Sequence, residues 1–374
     1  MIINIKNKII QKRICILLLL LLVLLITGCS DSDSDLTKQN VKGTRIVTDC
    51  AGREVTLPPA EEIQRVACLY AFTGHVTALV GGQDKIVSVV NGLKRDILFT
   101  TMFPAILEAN VPYTEGYINI EELIKAKPDV AFVRFTTAAN EGEMNKLKSA
   151  GIPAVVIDCN NMEEQILAIS VAGEVLGGKS IKAAENYKKF YLDSIELAKK
   201  KTENLSEDER IRLYHSVNEA VRTDEKGGLC DDWTRTVGVI NVSTDKELNI
   251  MESKAFASLE QIYLWDPEMI IVNEPGVGEY MLTDQKWAEL TAVKERKIYQ
   301  MPIGISRWGH PGSLETPLAI LWLGKTAYPE LFSDVDLYKE TKNFYKMFFN
   351  YELTDEDVDR MISGEGMRLE KNGK

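Results

Sequence analysis

The sequence predicts an α/β fold of two doubly wound lobes joined by a single long helix, with a ligand cleft between the lobes. Three observations carry this reading. Short hydrophobic runs alternate with amphipathic stretches, a long central segment lacks both Gly and Pro, and one helix-strand unit occurs twice without a gap. The chain has 374 residues, 45% of them hydrophobic and 26% charged, the composition of a folded protein. Its formal charge of -11 disfavours a polyanionic nucleic-acid partner, since no basic stripe offsets the field.

Basic residues Lys6, Lys8, Lys12 and Arg13 precede an unbroken apolar run, Ile14 to Ile26, which ends in Thr27-Gly28-Cys29. A bilayer-spanning helix needs about 20 residues, so a shorter run with this order reads as a secretory signal over residues 1–28. Its removal takes away four positive charges and no acid, leaving a strongly acidic mature chain. Ile26-Thr27-Gly28-Cys29 resembles the lipobox of bacterial lipoproteins, which makes Cys29 the lipidated first residue. Residues 29–43, opening SDSDSDLTKQN after the Cys, suit a flexible tether between a lipid bilayer and a folded body.

The remaining cysteines are Cys50, Cys68, Cys159 and Cys230. They show no CxxC or Cys/His ligand spacing, and no zinc site is expected. Cys50 and Cys68 could pair in an exported protein, but Cys68 lies in an apolar run where burial is the commoner fate.

Arg65–Tyr70, Ile86–Val90, Val130–Arg134 and Ala154–Asp158 read as strands buried on both faces, with helices such as 74–81 and 120–126 between them. The same grammar returns in Arg212–His215, Met269–Asn273 and Lys297–Met301. This divides the chain into an N-terminal lobe (44–178) and a C-terminal lobe with a helical tail (206–374). Between them, 179–205 reads as one backbone helix, with Ala183, Tyr187, Phe190, Ile195 and Leu197 on its apolar face. At 1.5 Å per residue it would run roughly 35 to 40 Å and act as a strut, so the cleft should be largely preformed.

The repeat aligns residues 120–133 (IEELIKAKPDVAFV) with 259–272 (LEQIYLWDPEMIIV). Each is a helix, a Pro seven residues after a shared Glu, an acid and a strand. Glu121 and Glu260 would open equivalent helices, where the dipole favours an anion with or without a function.

DCAGREVTLP (49–58), Arg65-Val66, NIEELIKAKPDVAFV (119–133) and WGHPGSLETPLAILWLGKTAYPELF (308–332) are the residues of a resemblance that covers about residues 44 to 360. In them the chain resembles the binding-protein family of ABC importers that handle ferric siderophores, haem and corrinoids. The resemblance implies two α/β lobes joined by one backbone helix and a lipid-anchored, extracytoplasmic protein that works as a monomer without turnover. It also implies that Glu121 and Glu260 dock on arginines of the membrane permease subunits. The implied cargo is an iron chelate of the siderophore type, with haem or a corrinoid (cobalamin) as alternative, and no intrinsic cofactor.

Independently of that resemblance, the crevice of an open α/β sheet lies at the carboxyl ends of its strands. The candidates there are Tyr70, Phe72 and His75, Arg95, Arg134, His215, Arg222, Trp233, Arg307, Trp308 and His310. Guanidinium forks suit carboxylate or catecholate oxygens, and aromatic faces suit large rings. Family members that complete a ferric ion's coordination imply His215, His310 and Tyr70 as metal contacts. No GxSxG, Walker, HExxH or GxGxxG pattern competes for an enzyme. A surface-anchored hydrolase and a ligand-sensing lipoprotein are the alternatives of other classes.

Overall fold

The computed structural model describes residues 43–252, 254–364 and 367–369. The signal peptide, Cys29 and the tether up to residue 42 lie outside the described residues. The described residues from Arg45 onward form the folded body.

The body opens on an antiparallel hairpin, β1 (Arg45–Thr48) with β2 (Glu54–Leu57). Its turn is DCAGR. The buried Asp49 carboxylate accepts the Ala51 and Arg53 N–H groups, the Arg53 Nε–H at 2.9 Å and the Val156 N–H at 3.0 Å. The first segment of the family resemblance therefore fastens the hairpin to the sheet.

The N-terminal lobe continues with β3 (Val66–Cys68), β4 (Ile86–Ser88), the short pair β5 (Tyr113–Thr114) and β6 (Tyr117–Ile118), β7 (Val130–Val133) and β8 (Ala154–Val156). Its main sheet runs β4-β3-β7-β8, all parallel. Every residue of β3, β7 and β8 is buried, as hydrophobic runs covered on both faces require. The C-terminal lobe has β9 (Arg212–Ser216), β10 (Arg222–Thr223), β11 (Ile240–Asn241), β12 (Asn249–Met251), β13 (Lys254–Phe256), β14 (Met269–Val272) and β15 (Ile298–Gln300). Its main sheet runs β11-β9-β14-β15, again parallel, and a small antiparallel sheet β10-β13-β12 stands beside it. In each lobe the strand order, counted along that sheet, is second, first, third, fourth.

The sequence repeat is matched at atomic detail. Helix Ile120–Lys125 starts at Asn119, whose side chain accepts the Glu122 N–H, and helix Leu259–Trp265 starts at Ser258 in a capping box with Gln261. Each then passes through a left-handed residue just before the Pro, Lys127 (φ 45°) and Asp266 (φ 37°). The acid after the Pro caps the neighbouring strand: Asp129 accepts the Arg65 N–H at 2.8 Å, and Glu268 accepts the Arg212 N–H at 3.0 Å. Arg65 in turn donates to the Ala126 carbonyl and Arg212 to the equivalent Trp265 carbonyl. The acid and the Arg, 64 residues apart in the first lobe and 56 in the second, close each unit across two neighbouring strands.

The backbone helix spans Lys179–Thr202, about 36 Å at 1.5 Å per residue. Its buried seam is Ser180, Ala184, Tyr187, Tyr191, Ser194, Ala198 and Thr202, rotated from the expected face. Ala183, Phe190, Ile195 and Leu197 flank this seam as partly buried residues. Ser180, Ala184, Ser194 and Ala198, beside Tyr187 and Tyr191, let helices Met162–Leu176 and Thr316–Ala327 pack closely on it; a Cβ on Gly173 would lie 2.8 Å from that of Ala184. Buried hydrogen bonds join these pieces. Tyr191 Oη donates to Gln165 Oε1 at 2.7 Å, Gln165 Nε2 donates to the Ser313 carbonyl, and Tyr187 Oη donates to the Leu314 carbonyl. One hydrophobic core runs through both lobes and the strut, with two further clusters under the outer sheet faces.

Among the described residues, Cys50, Cys68, Cys159 and Cys230 are free, and no helix is long and apolar enough to cross a membrane.

Candidate functional site

In a sheet ordered this way the crevice opens where the first and third strands diverge. In the N-terminal lobe that point lies past β3 and β7, and the sequence there supplies Tyr70 and Arg134. The Arg134 guanidinium lies over the Tyr70 ring, 4.7 Å from its centroid. In the C-terminal lobe it lies past β9 and β14, where the Asn218 N–H donates to Asn273 Oδ1 at 2.7 Å. Arg307 settles on this corner, donating to Asn218 Oδ1 and, at 2.6 Å, to Glu274 Oε2.

The ends of β3 and β7 on one side and of β9, through Val217, on the other face one cavity of about 660 Å³. Tyr70, Arg134 and Asp158 line it from the N-terminal lobe; Arg222, Asp224, Cys230, Lys254 and His310 line it from the other. Among the described residues no carboxylate pairs with Arg134 or Arg222, and Arg134 Nε is buried without a hydrogen bond. The acids are engaged elsewhere. Asp158 accepts the Phe135 and Cys159 N–H groups, and burial raises its pKa. Asp224 accepts Asn241 Nδ2 at 3.1 Å and meets His215 Nδ1 at 2.8 Å. The cavity thus holds two guanidinium groups without a carboxylate hydrogen-bonded to either, one of them stacked on Tyr70, on opposite walls beside acids already supplied with donors.

A side chamber of about 170 Å³ shares Tyr70, His310 and Pro311 with the main cavity and is lined further by Phe72, His75, Asp96, Arg307 and Arg368. The chain's end reaches this chamber from the C-terminal lobe. The Ile97 N–H donates to the Met367 carbonyl and the Leu369 N–H to the Arg95 carbonyl.

Tyr70, Arg134, Arg307 and His310 therefore meet in or beside the cleft, as expected from sequence, with Phe72 at its side chamber. Burial pushes the Tyr70 phenol up to about 12, so it stands protonated. His310 has both ring nitrogens occupied: Nδ1 donates to the Pro311 carbonyl at 2.8 Å, which leaves Nε2 to accept from Arg307 Nη2 at 3.1 Å. Burial and then the Arg307 charge lower its pKa well below the usual value.

Other expectations are corrected. Trp308 is wholly buried in the main core and lines neither chamber. The Gly/Pro-bounded loop that suggested exposure folds back, with the Trp308 N–H on the Pro302 carbonyl. Gly309 takes φ +66° beside Trp233, where a Cβ would lie 2.6 Å from the indole. Trp233 is equally buried and donates its Nε1–H to the Gly309 carbonyl at 2.9 Å, so it holds the loop from beneath. Arg95 is spent on the Leu369 carbonyl. His215 is fully buried behind Asp224, away from the open cavity.

Glu121 and Glu260 are both exposed in the first turns of their helices. Hydrogen bonds from its own N–H and from the Ser258 hydroxyl hold the Glu260 carboxyl below its usual pKa.

The family described as periplasmic binding protein matches residues 66–303, the stretch that contains both switch points. The chain belongs to this family. Among periplasmic binding proteins it is 27% identical over 334 residues to the molybdate-binding protein MolA of Haemophilus influenzae, covering 82% of this chain and 91% of that one. It is 21% identical over 291 residues to an uncharacterized ABC transporter substrate-binding lipoprotein, YvrC, of Bacillus subtilis (77% and 87%). The solved structure of a periplasmic solute binding protein from Veillonella parvula superposes with a TM-score of 0.74 at 27% identity, covering 87% of this chain and 99% of that one. MolA bound to molybdate gives 0.72 at 26% identity (83% and 99%). These are solute-binding proteins of the two-lobed, helical-backbone type, and this chain is a substrate-binding protein of that kind.

Sequence reasoning left Asp158, Asp224, Lys254 and Arg368 out of the site. The first lies just past β8 and falls under the rule that found Tyr70 and Arg134. The next two depend on the small sheet beside β9, and Arg368 depends on where the tail returns, so no local pattern marks them.

Proposed function

We propose that this protein is the substrate-binding component of an ABC importer and captures an anionic metal chelate of the ferric siderophore type, with Arg134 and Arg222 gripping its oxygens from opposite lobes. The observation that carries this is the pair of guanidinium groups without a carboxylate partner across a 660 Å³ cavity. That volume lies in the usual range for an organic solute, and charge-assisted pairs to carboxylate or catecholate oxygens are strong where water is excluded. Haem or a corrinoid is the alternative large ligand.

A second reading, a bare tetrahedral oxyanion, is favoured by the likeness to the molybdate-binding MolA. The same two arginines would serve it, in a cavity far larger than the ion. Titration calorimetry with ferric citrate, ferric catecholates, haem, cobalamin, molybdate and tungstate separates the readings. Tightest binding of a ferric chelate supports the first, tightest binding of molybdate or tungstate the second, and binding of none overturns both.

Delivery completes the proposal. Cys29 carries an acyl anchor that holds the chain on the outer face of the membrane, and Glu121 and Glu260 present carboxylates, one per lobe, to arginines of the permease. Loss of fatty-acid labelling in Cys29→Ala tests the anchor; persistent labelling overturns it.

A further inference from the structure

Chain folding brings together three donors that lie far from any metal-binding spacing in the sequence. His215 sits on β9, Asp224 directly succeeds β10, and Cys230 occupies the first turn of helix Leu229–Thr236. All three are buried, and one ligand atom from each lies within 4.8 Å of the others. His215 Nδ1 meets Asp224 Oδ2 at 2.8 Å, and the Cys230 thiol donates to the Gly309 carbonyl at 3.4 Å. His215 Nε2 is buried with no hydrogen-bond partner. Asp224 and Cys230 also line the main cavity.

We propose that His215, Asp224 and Cys230 bind a borderline divalent transition-metal ion, zinc by preference, with its fourth coordination position open to the cleft. This goes beyond the anionic-solute reading and does not depend on it.

The chemistry fits the donors. Imidazole nitrogen, carboxylate oxygen and thiolate sulfur together suit Zn²⁺ or Co²⁺ in tetrahedral geometry, whereas a hard ferric ion prefers oxygen. Ligand atoms in such a site stand about 3 to 4 Å apart, so the 2.8 Å contact between His215 and Asp224 opens slightly while the other donor atoms, within 4.8 Å, draw in around the ion. Charge balances as well: binding releases the thiol proton, and one thiolate with one carboxylate neutralises the divalent ion, leaving no net charge in a buried place. Two supports are already fixed. Asn241 Nδ2 donates to the Asp224 carboxylate and so orients it, and the Trp233 indole stands edge-on to the His215 ring with centroids 6.3 Å apart. The open fourth position lets an anionic group in the cleft complete the ion's shell.

The test is spectroscopic and uses the full chain solubilised in detergent and stripped of metal. Titration with Co(II) should give one equivalent bound, with the visible bands of tetrahedral cobalt and a near-ultraviolet thiolate-to-cobalt charge-transfer band. Cys230→Ser should lose the charge-transfer band, and His215→Gln and Asp224→Asn should each weaken Zn(II) binding by about 10- to 100-fold. Circular dichroism confirms folding, and Cys230→Ser alone decides the matter if the His215 variant does not fold. The proposal is overturned by a wild type that binds no Co(II), or by a charge-transfer band that survives in Cys230→Ser.

Discussion

Arg368 Nε stands 3.3 Å from Asp96 Oδ1, and the other oxygen of the same carboxylate meets His75 Nε2 at 3.1 Å. A residue from the end of the chain thereby completes a buried charge cluster in the N-terminal lobe. Asp96 is 2% exposed, and these two groups are its ion-pair partners. The contact also ties the last helix of the C-terminal lobe, Asp355–Ser363, to the first lobe at the edge of the side chamber.

Removing Arg368 should therefore loosen the body as well as the chamber. Arg368→Ala is expected to cost about 1 to 3 kcal/mol of stability, the range for leaving a buried charged group short of a partner. Urea denaturation of the variant beside wild type measures it; an unchanged midpoint would show that the tail contact adds nothing to stability.

Trp308 separates packing from recognition. Because the indole lies in the core, Trp308→Ala should lose about 3 to 5 kcal/mol of stability. Trp308→Phe should fold and keep the wild-type affinity for whichever solute binds best. A folded Phe variant with much weaker binding would return the indole to the ligand.

Glu315 gives the stability a pH dependence. It precedes helix Thr316–Ala327 and takes the Ile305 and Ser306 N–H groups and the Ser306 and Tyr345 hydroxyls, so it shapes the loop that carries Arg307 and His310. Burial raises its pKa from 4.5 to about 7 despite those donors. The folded protein then holds this proton more tightly than the unfolded chain. Its contribution is full below pH 4.5 and is lost as pH rises through about 7. By linkage this amounts to about 3 kcal/mol. Glu315→Gln should flatten the stability profile across that window, as read by denaturation at several pH values.

Charge reversal at Glu121 and Glu260 addresses delivery. Both carboxylates are exposed and lie apart from the cleft, so the double Lys variant should bind solute as wild type does yet fail to support uptake in cells. Normal uptake by a correctly anchored variant would remove these residues from the docking surface.

Much of the fold was legible because its signals are local. Strands β3, β7, β8 and β14 of the main sheets are hydrophobic runs with every residue buried, and the repeat was visible as a shared Glu and Pro. The left-handed residues Lys127 and Asp266 and the Asp129/Arg65 and Glu268/Arg212 closures were not, since they need two elements side by side. Tyr70 and Arg134 could be found because each lies just past the end of a parallel strand. Trp308 and Trp233 could not be judged that way. Their exposure depends on how the 302–313 loop folds over Gly309, and an aromatic beside Gly and Pro reads the same whether the loop opens or closes. His215, Asp224 and Cys230 meet only through the β9, β10 and helix arrangement. For the strut, hydrophobicity pointed to the flanks, because close helix packing puts small residues at the seam.

An anionic solute held between Arg134 and Arg222 is the core of the functional proposal. Calorimetric titration of wild type, Arg134→Ala and Arg222→Ala with the best-binding member of the chelate and oxyanion panel puts it to the test. Each substitution should weaken binding by about 1 to 3 kcal/mol, or roughly 5- to 150-fold, with the folded state unchanged. Wild-type affinity in both variants would contradict the proposal and move the ligand out of this cleft.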